Sequence, residues 1–352
     1  MPTLTQSLTI ADNLSYHYLD SGAVSGNTYT TLVFIHGMGF NAGVFKKLLP
    51  LAAARDLRIV SLYRRDYNPT TSFRDEELAA LMSGTVEGQE GFYRSQGVEI
   101  ATFLAEFAVE QSLPPAQGTS GGIALIGWSM GSLHAHAVVA YLDALPPNVL
   151  SDLGKYLHTV ISQDMGGVFV GIANPPEYNI DLWFEPDAQV RLNSFYEWAT
   201  AHFTHKSVTS GNIDDLEFNK FADRTHSMHE LSSEELAELT SVKVFGSSDT
   251  FILFTQLDTF KAIAKRALFT PALAQKLLPN LRVRYMTGGT SPGVFIWVLT
   301  ELRKLLADPK PLYGPDAETA RDVKMINLSV GNHFNFWDEP EAAITSYLTT
   351  IN

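Results

Sequence analysis

Apolar runs alternate with helical patterns along most of the chain. Thr31-Leu32-Val33-Phe34-Ile35 and Ile123-Ala124-Leu125-Ile126 are continuous and rich in branched side chains, the pattern of a parallel strand covered on both faces. Residues 7–21 read as a first strand pair, and 30–35, 57–63, 122–127, 158–164, 281–287 and 323–330 as the remaining sheet candidates. Between them lie helical patterns such as 95–110, where Val98, Ile100, Ala101, Phe103, Leu104 and Phe107 form one apolar stripe suited to packing on a sheet. This alternation predicts an α/β fold with a mostly parallel central sheet, flanked by helices and with its reactive groups at the carboxyl ends of the strands. The rhythm breaks between about 175 and 275. That stretch opens on Asn174-Pro175-Pro176-Glu177 and continues in helix-like segments near 192–205, 232–239 and 251–268, rich in aromatic residues. We expect residues 1–174 and 276–352 to form one core and 175–275 an inserted helical cap.

The chemistry is carried by Gly127-Trp128-Ser129-Met130-Gly131, which interrupts a strand pattern and leads into a helical one. Gly-x-Ser-x-Gly in that context predicts a sharp turn presenting the serine hydroxyl at a helix N-terminus. Upstream, the 30–35 strand ends on His36-Gly37-Met38-Gly39, where the backbone N–H groups of Met38 and Met130 could form an oxyanion hole. His36 is expected to shape that loop. With this elbow the acid and base follow the serine in chain order, and His333, in the Gly331-Asn332-His333-Phe334 loop beyond the last strand, is the natural base. The usual place for the acid is the turn after the 281–287 strand, but Thr287-Gly288-Gly289-Thr290-Ser291-Pro292-Gly293 holds no carboxylate. Asp164, at the end of the strand after the elbow helix, is therefore the expected acid, with Asp249 in reserve and Asp338 third. His202/His205 and His226/His229 have a spacing that can ligate a metal on a helix. Without a His-Glu-x-x-His pattern or cysteines they are read as surface or cap-packing residues, and no metal or cofactor is expected.

Composition narrows the partners. Of 352 residues 45% are hydrophobic and the formal net charge is −13, so nucleic acid and anionic membrane surfaces are disfavoured by like-charge repulsion. The absence of cysteine excludes a disulfide framework and a thiol nucleophile. The opening Met1-Pro2-Thr3-Leu4-Thr5-Gln6 has no basic region followed by an apolar core, and no run approaches the ~20 apolar residues of a membrane span, so a cytoplasmic protein is expected. The expected partner is a small apolar substrate, with a homodimer allowed.

Taken with these motifs, the chain resembles the α/β-hydrolase superfamily over nearly its whole length. More narrowly it resembles serine hydrolases associated with secondary metabolism in filamentous fungi. That likeness rests on Tyr63-Arg64-Arg65-Asp66-Tyr67, the elbow, Phe195-Tyr196-Glu197-Trp198, and Asn332-His333-Phe334-Asn335-Phe336-Trp337-Asp338-Glu339-Pro340. The resemblance implies Ser129 as nucleophile, His333 as base, Asp164 as acid, and Met38 and Met130 as oxyanion donors. It departs from the family where the arginine-rich turn runs on as Asn68-Pro69-Thr70-Thr71-Ser72 rather than into glycine and serine. The expected activity is hydrolysis of a carboxylic ester, lactone or thioester; alternatives are an acyltransferase, lyase or cyclase using the same residues, or a ligand receptor on the scaffold. Relatives that open epoxides or remove halide carry a carboxylate where Ser129 stands. Trp128, Trp198 and Phe254 are the expected substrate-binding residues, among aromatics that include Trp183, Phe184, Phe195, Phe203 and Phe251.

Overall fold

Among the described residues, eight strands form one sheet in the order β1-β2-β4-β3-β5-β6-β7-β8. They are β1 (Gln6–Ala11), β2 (Leu14–Asp20), β3 (Thr30–Ile35), β4 (Leu57–Leu62), β5 (Ile123–Trp128), β6 (Leu157–Gln163), β7 (Arg282–Thr287) and β8 (Asp322–Asn327). The computed structural model describes residues 5–26, 28–178, 185–220 and 226–352, so Trp183 and Phe184 lie outside the described residues. β1 and β2 pair antiparallel, as do β2 and β4, and every later pairing is parallel.

Every residue of β3, β4, β5 and β6 is buried, which is why these strands show continuous apolar runs rather than alternation. The outer strands β1 and β8 alternate in exposure, as one-sided edge strands do. On the sheet pack α1 (Val86–Glu110), α2 (Gly131–Ala140) and, at the C-terminus, a helix over Pro340–Ile351. Phe103 and Phe107 of α1 meet Tyr18 of β2 edge-on at 5.5 and 5.4 Å, and Tyr347 of the C-terminal helix meets Phe34 of β3 at 5.2 Å. Burial of each such ring contributes on the order of 1.5–3 kcal/mol.

Three boundaries differ from the sequence reading. The 192–205 pattern is a helix over Ala188–Ala199, α3, because Asp187 caps it by accepting from the Gln189 and Val190 amides. The 251–268 pattern is divided at Gln256, whose extended backbone starts α4 (Leu257–Leu268). That helix belongs to the layer beside the sheet: its Phe260 meets Tyr93 of α1 at 6.0 Å. The last strand ends at Asn327, three residues short of the expected 330, and its ladder closes with the Leu328 N–H donating to the Thr287 carbonyl at 2.9 Å.

Candidate active site

Ser129 follows the last residue of β5 and precedes α2, with φ +54°, a left-handed conformation that costs a non-glycine residue about 1–3 kcal/mol. Its N–H donates to the Gln163 carbonyl at 2.8 Å. The flanking glycines are required by close approach. A Cβ on Gly127 would stand 2.5 Å from the Gly131 carbonyl oxygen, and one on Gly131 would stand 2.1 Å from that of Ile35. The end of β3 is therefore pressed against the elbow, and the 36–39 loop follows at once: a Cβ on Gly37 would fall 2.9 Å from Cβ of Ser129. Neither the Met38 nor the Met130 N–H bonds to any described residue, leaving two amide donors beside the serine. His36 is buried, with Nδ1 bonded to the Gly37 carbonyl and Nε2 accepting from the Arg64 amide, both at 3.0 Å. Burial and the adjacent Arg64 guanidinium hold its pKa well below the ordinary value, so it stays neutral and shapes the loop.

Trp128 pairs with Gln163 across β5 and β6, so Asp164 emerges beside Ser129 at the same level of the sheet. Asp164 is wholly buried and accepts three hydrogen bonds: from the Gly288 N–H at 3.1 Å, the Ser291 hydroxyl at 2.8 Å and His333 Nδ1 at 3.1 Å. Those donors replace the water a buried carboxylate gives up. The turn after β7 is glycine at 288 for a visible reason. The 328–333 segment crosses it closely enough that a Cβ on Gly288 would stand 2.4 Å from the Gly331 carbonyl oxygen. This crossing carries His333 from the edge strand to the centre of the sheet. There Phe295 stacks on the imidazole at 4.5 Å and 11°, Trp128 lies on it at 4.8 Å, and Nε2 bonds to no described residue.

Residues 32–344 match the alpha/beta hydrolase family, nearly nine-tenths of the chain. The chain belongs to the alpha/beta hydrolase family. Among solved structures it is similar to 2-hydroxy-6-oxo-6-phenylhexa-2,4-dienoate hydrolase from Rhodococcus sp. strain RHA1, with TM-score 0.51, 12% identity, and 99% of this chain and 98% of that one covered. It is also similar to a bromoperoxidase from Bacillus anthracis, with TM-score 0.50, 13% identity and 99% of both chains covered. An epoxide hydrolase from Solanum tuberosum matches at TM-score 0.50 and 12% identity over 98% of this chain and 99% of that one. At these identities the likeness speaks for the fold. No curated protein matches the chain. Among the described residues no helix is long and apolar enough to cross a membrane.

Within this hydrolase fold the other expected site residues are dispersed. Trp128 is 1% exposed and its indole N–H donates to the His333 carbonyl at 2.9 Å, so it lies behind the imidazole as a core residue. Trp198 of α3 donates to the Phe218 carbonyl at 3.0 Å and meets Phe295 at 5.9 Å, one ring removed from His333. Phe254 ends a short helical turn with its side chain 70% exposed. Asp338 accepts from Ser227 Oγ at 2.7 Å and lies 3.5 Å from His202 Nε2. Asp249 pairs with Arg64 at 2.8 Å. Neither histidine pair lies on a helix, and no cluster of His, Cys, Asp or Glu that could hold a metal occurs among the described residues. The sequence reading missed Ser291 and Phe295, which contact Asp164 and the His333 imidazole directly. The only local signal for Ser291 was its place in the glycine-rich turn, and Phe295 looked like any apolar residue on a helix.

Proposed function

We propose that this hydrolase cleaves a carboxylic ester, lactone or thioester of an apolar small molecule through an acyl-enzyme on Ser129. The observation that carries the reading is the hydrogen bond from His333 Nδ1 to buried Asp164, which leaves Nε2 as the only basic nitrogen of the imidazole, in a chain whose elbow serine follows the strand next to Asp164. His333 Nε2 takes the proton of Ser129 Oγ as that oxygen bonds to the acyl carbon, and the C=O π pair moves onto the carbonyl oxygen. The Met38 and Met130 N–H groups receive this oxyanion, and Asp164 stabilises the imidazolium. When the intermediate collapses, the bond to the leaving oxygen or sulfur breaks and that atom takes the proton from Nε2. Water activated by the same nitrogen then releases the acid and restores Ser129. A serine at the elbow favours acyl chemistry over epoxide opening, which the fold also supports in other proteins.

The part of the 175–275 insertion that precedes α4 would act as the cap that selects the acyl group, a role supported by the run of rings from Phe195 through Trp198 to Phe295 and His333. These apolar surroundings favour an apolar or polyketide-like acyl group. The test is reaction with a fluorophosphonate probe together with a series of p-nitrophenyl esters of increasing chain length. Stoichiometric labelling of Ser129 and turnover of at least one ester are expected. A folded protein that takes no label and hydrolyses no ester would refute the reading.

A further inference from the structure

The Gly37–Met38 peptide contains the Met38 N–H assigned above to the oxyanion. A trans peptide points its C=O and N–H in opposite directions, so whatever holds the Gly37 carbonyl aims that donor. Two groups hold it: His36 Nδ1 at 3.0 Å and Arg64 Nη2 at 3.0 Å. The next peptide is held from the other side, because the Gly39 N–H donates to Asp249 Oδ2 and to the Tyr67 hydroxyl oxygen, both at 2.9 Å. Asp249 also accepts from Arg64 Nη2 at 2.8 Å and from the Tyr67 hydroxyl. Its carboxylate therefore touches every member of the clamp except His36, and it is wholly buried. Asp249 lies in a π-helical turn, Phe245–Asp249, between β6 and β7, a widening of the helix often found at functional sites. The same inserted segment pairs with the loop's backbone: the Ser241 N–H donates to the Gly39 carbonyl at 3.0 Å and the Asn41 N–H to the Leu239 carbonyl at 2.8 Å.

We propose that Asp249 is a positioning residue which, from the inserted segment, locks Arg64 and the Gly39 amide so that the Met38 N–H faces the oxyanion. The inference rests on the serine-hydrolase reading, and it makes the oxyanion hole complete only while the insertion is docked. A donor that acts on the oxyanion contributes to the transition state more than to substrate binding, so its misalignment lowers kcat and leaves KM nearly unchanged. Complete loss of such a donor costs about 10²–10³ in kcat, and losing its aim is expected to cost about 10–100-fold.

The test measures p-nitrophenyl butyrate hydrolysis per fluorophosphonate-titrated site, and inhibition by an alkyl trifluoromethyl ketone, whose serine adduct places an oxyanion in the hole. For Asp249→Asn, kcat per titrated site should fall about 10–100-fold with KM within about threefold, and affinity for the ketone should fall in parallel. Asn sets a donor against either Arg64 or Gly39, so this variant could lose its fold. Arg64→Met combined with Asp249→Leu leaves no lone buried charge, and Tyr67→Phe keeps the ion pair while removing one acceptor from Gly39. The double variant should match Asp249→Asn, and Tyr67→Phe should lower kcat about 3–10-fold, a part of the full donor loss. Variants with fewer titratable sites but unchanged kcat per site and unchanged ketone affinity would overturn the proposal, because a purely structural role changes only the amount of folded enzyme. A wild-type protein that neither labels nor turns over would refute the serine-hydrolase reading itself, and the inference with it.

Discussion

Asp164→Asn changes one oxygen for an NH₂ in a pocket where each neighbour donates. Oδ1 of the carboxylate takes the Gly288 N–H, and Oδ2 takes both the Ser291 hydroxyl and His333 Nδ1. If the asparagine NH₂ faces Gly288, two donors meet at about the 3.1 Å of the present bond and a buried N–H goes unpaired, at a cost of about 1–3 kcal/mol. If it faces Ser291 and His333, the hydroxyl can rotate to accept and the imidazole can offer a lone pair at Nδ1. The second orientation wins. It moves the imidazole proton to Nε2, the position that must be empty to receive the proton of Ser129. The variant is therefore expected to fold and to lose about 10³–10⁴ in kcat, equivalent to about 4–5.5 kcal/mol of barrier. Initial rates with p-nitrophenyl butyrate, read beside the fluorophosphonate labelling rate and the thermal midpoint, provide the assay. A folded Asp164→Asn enzyme with kcat within tenfold of wild type would refute the role given to the Asp164–His333 bond.

Ser129→Ala should abolish labelling and lower kcat by about 10⁵–10⁶ with little change in the thermal midpoint, and a folded variant that still labels would remove Ser129 from the mechanism. His136 in α2 is buried between Ser162 and Tyr285, and burial lowers its pKa from 6.5 to about 4. The unfolded chain then takes up this proton first as pH falls from about 6.5 towards about 4, so the fold should lose about 2 kcal/mol by pH 5 through this group. Denaturation midpoints for wild type and His136→Gln at pH 7 and 5 would show it, the variant having the flatter dependence. Trp198→Phe keeps an aromatic ring but gives up the bond to Phe218 and reshapes the ring run towards His333. It should alter relative kcat/KM between short and long esters by about 1–3 kcal/mol; equal scaling on every ester would mean that Trp198 only packs the insertion.

Periodicity along the chain was enough to read the sheet, because a strand covered on both faces must be apolar at successive positions, as β3 and β5 are. The elbow was equally legible, since the space denied to a Cβ at Gly127 and Gly131 restricts those positions to one residue type whatever the distant surroundings. Asp164 could be placed at a strand end from order alone, but its three donors come from Gly288, Ser291 and His333, more than 120 residues away in the chain. The pairing of β6 with β7 brings Gly288 and Ser291 to it, and the return of the 328–333 segment across the β7 turn adds His333. Trp128 and Phe254 show the same division: in the sequence both were aromatics near candidate chemistry, yet one is sealed behind the imidazole and the other stands in solvent. Asp249 was legible only as a spare carboxylate. Its partners Arg64 and Tyr67 lie 185 and 182 residues earlier, and no local pattern encodes such a contact. Local sterics and burial periodicity act within a few residues and can be read from the chain, whereas an ion pair or an aimed peptide depends on where the whole backbone path returns.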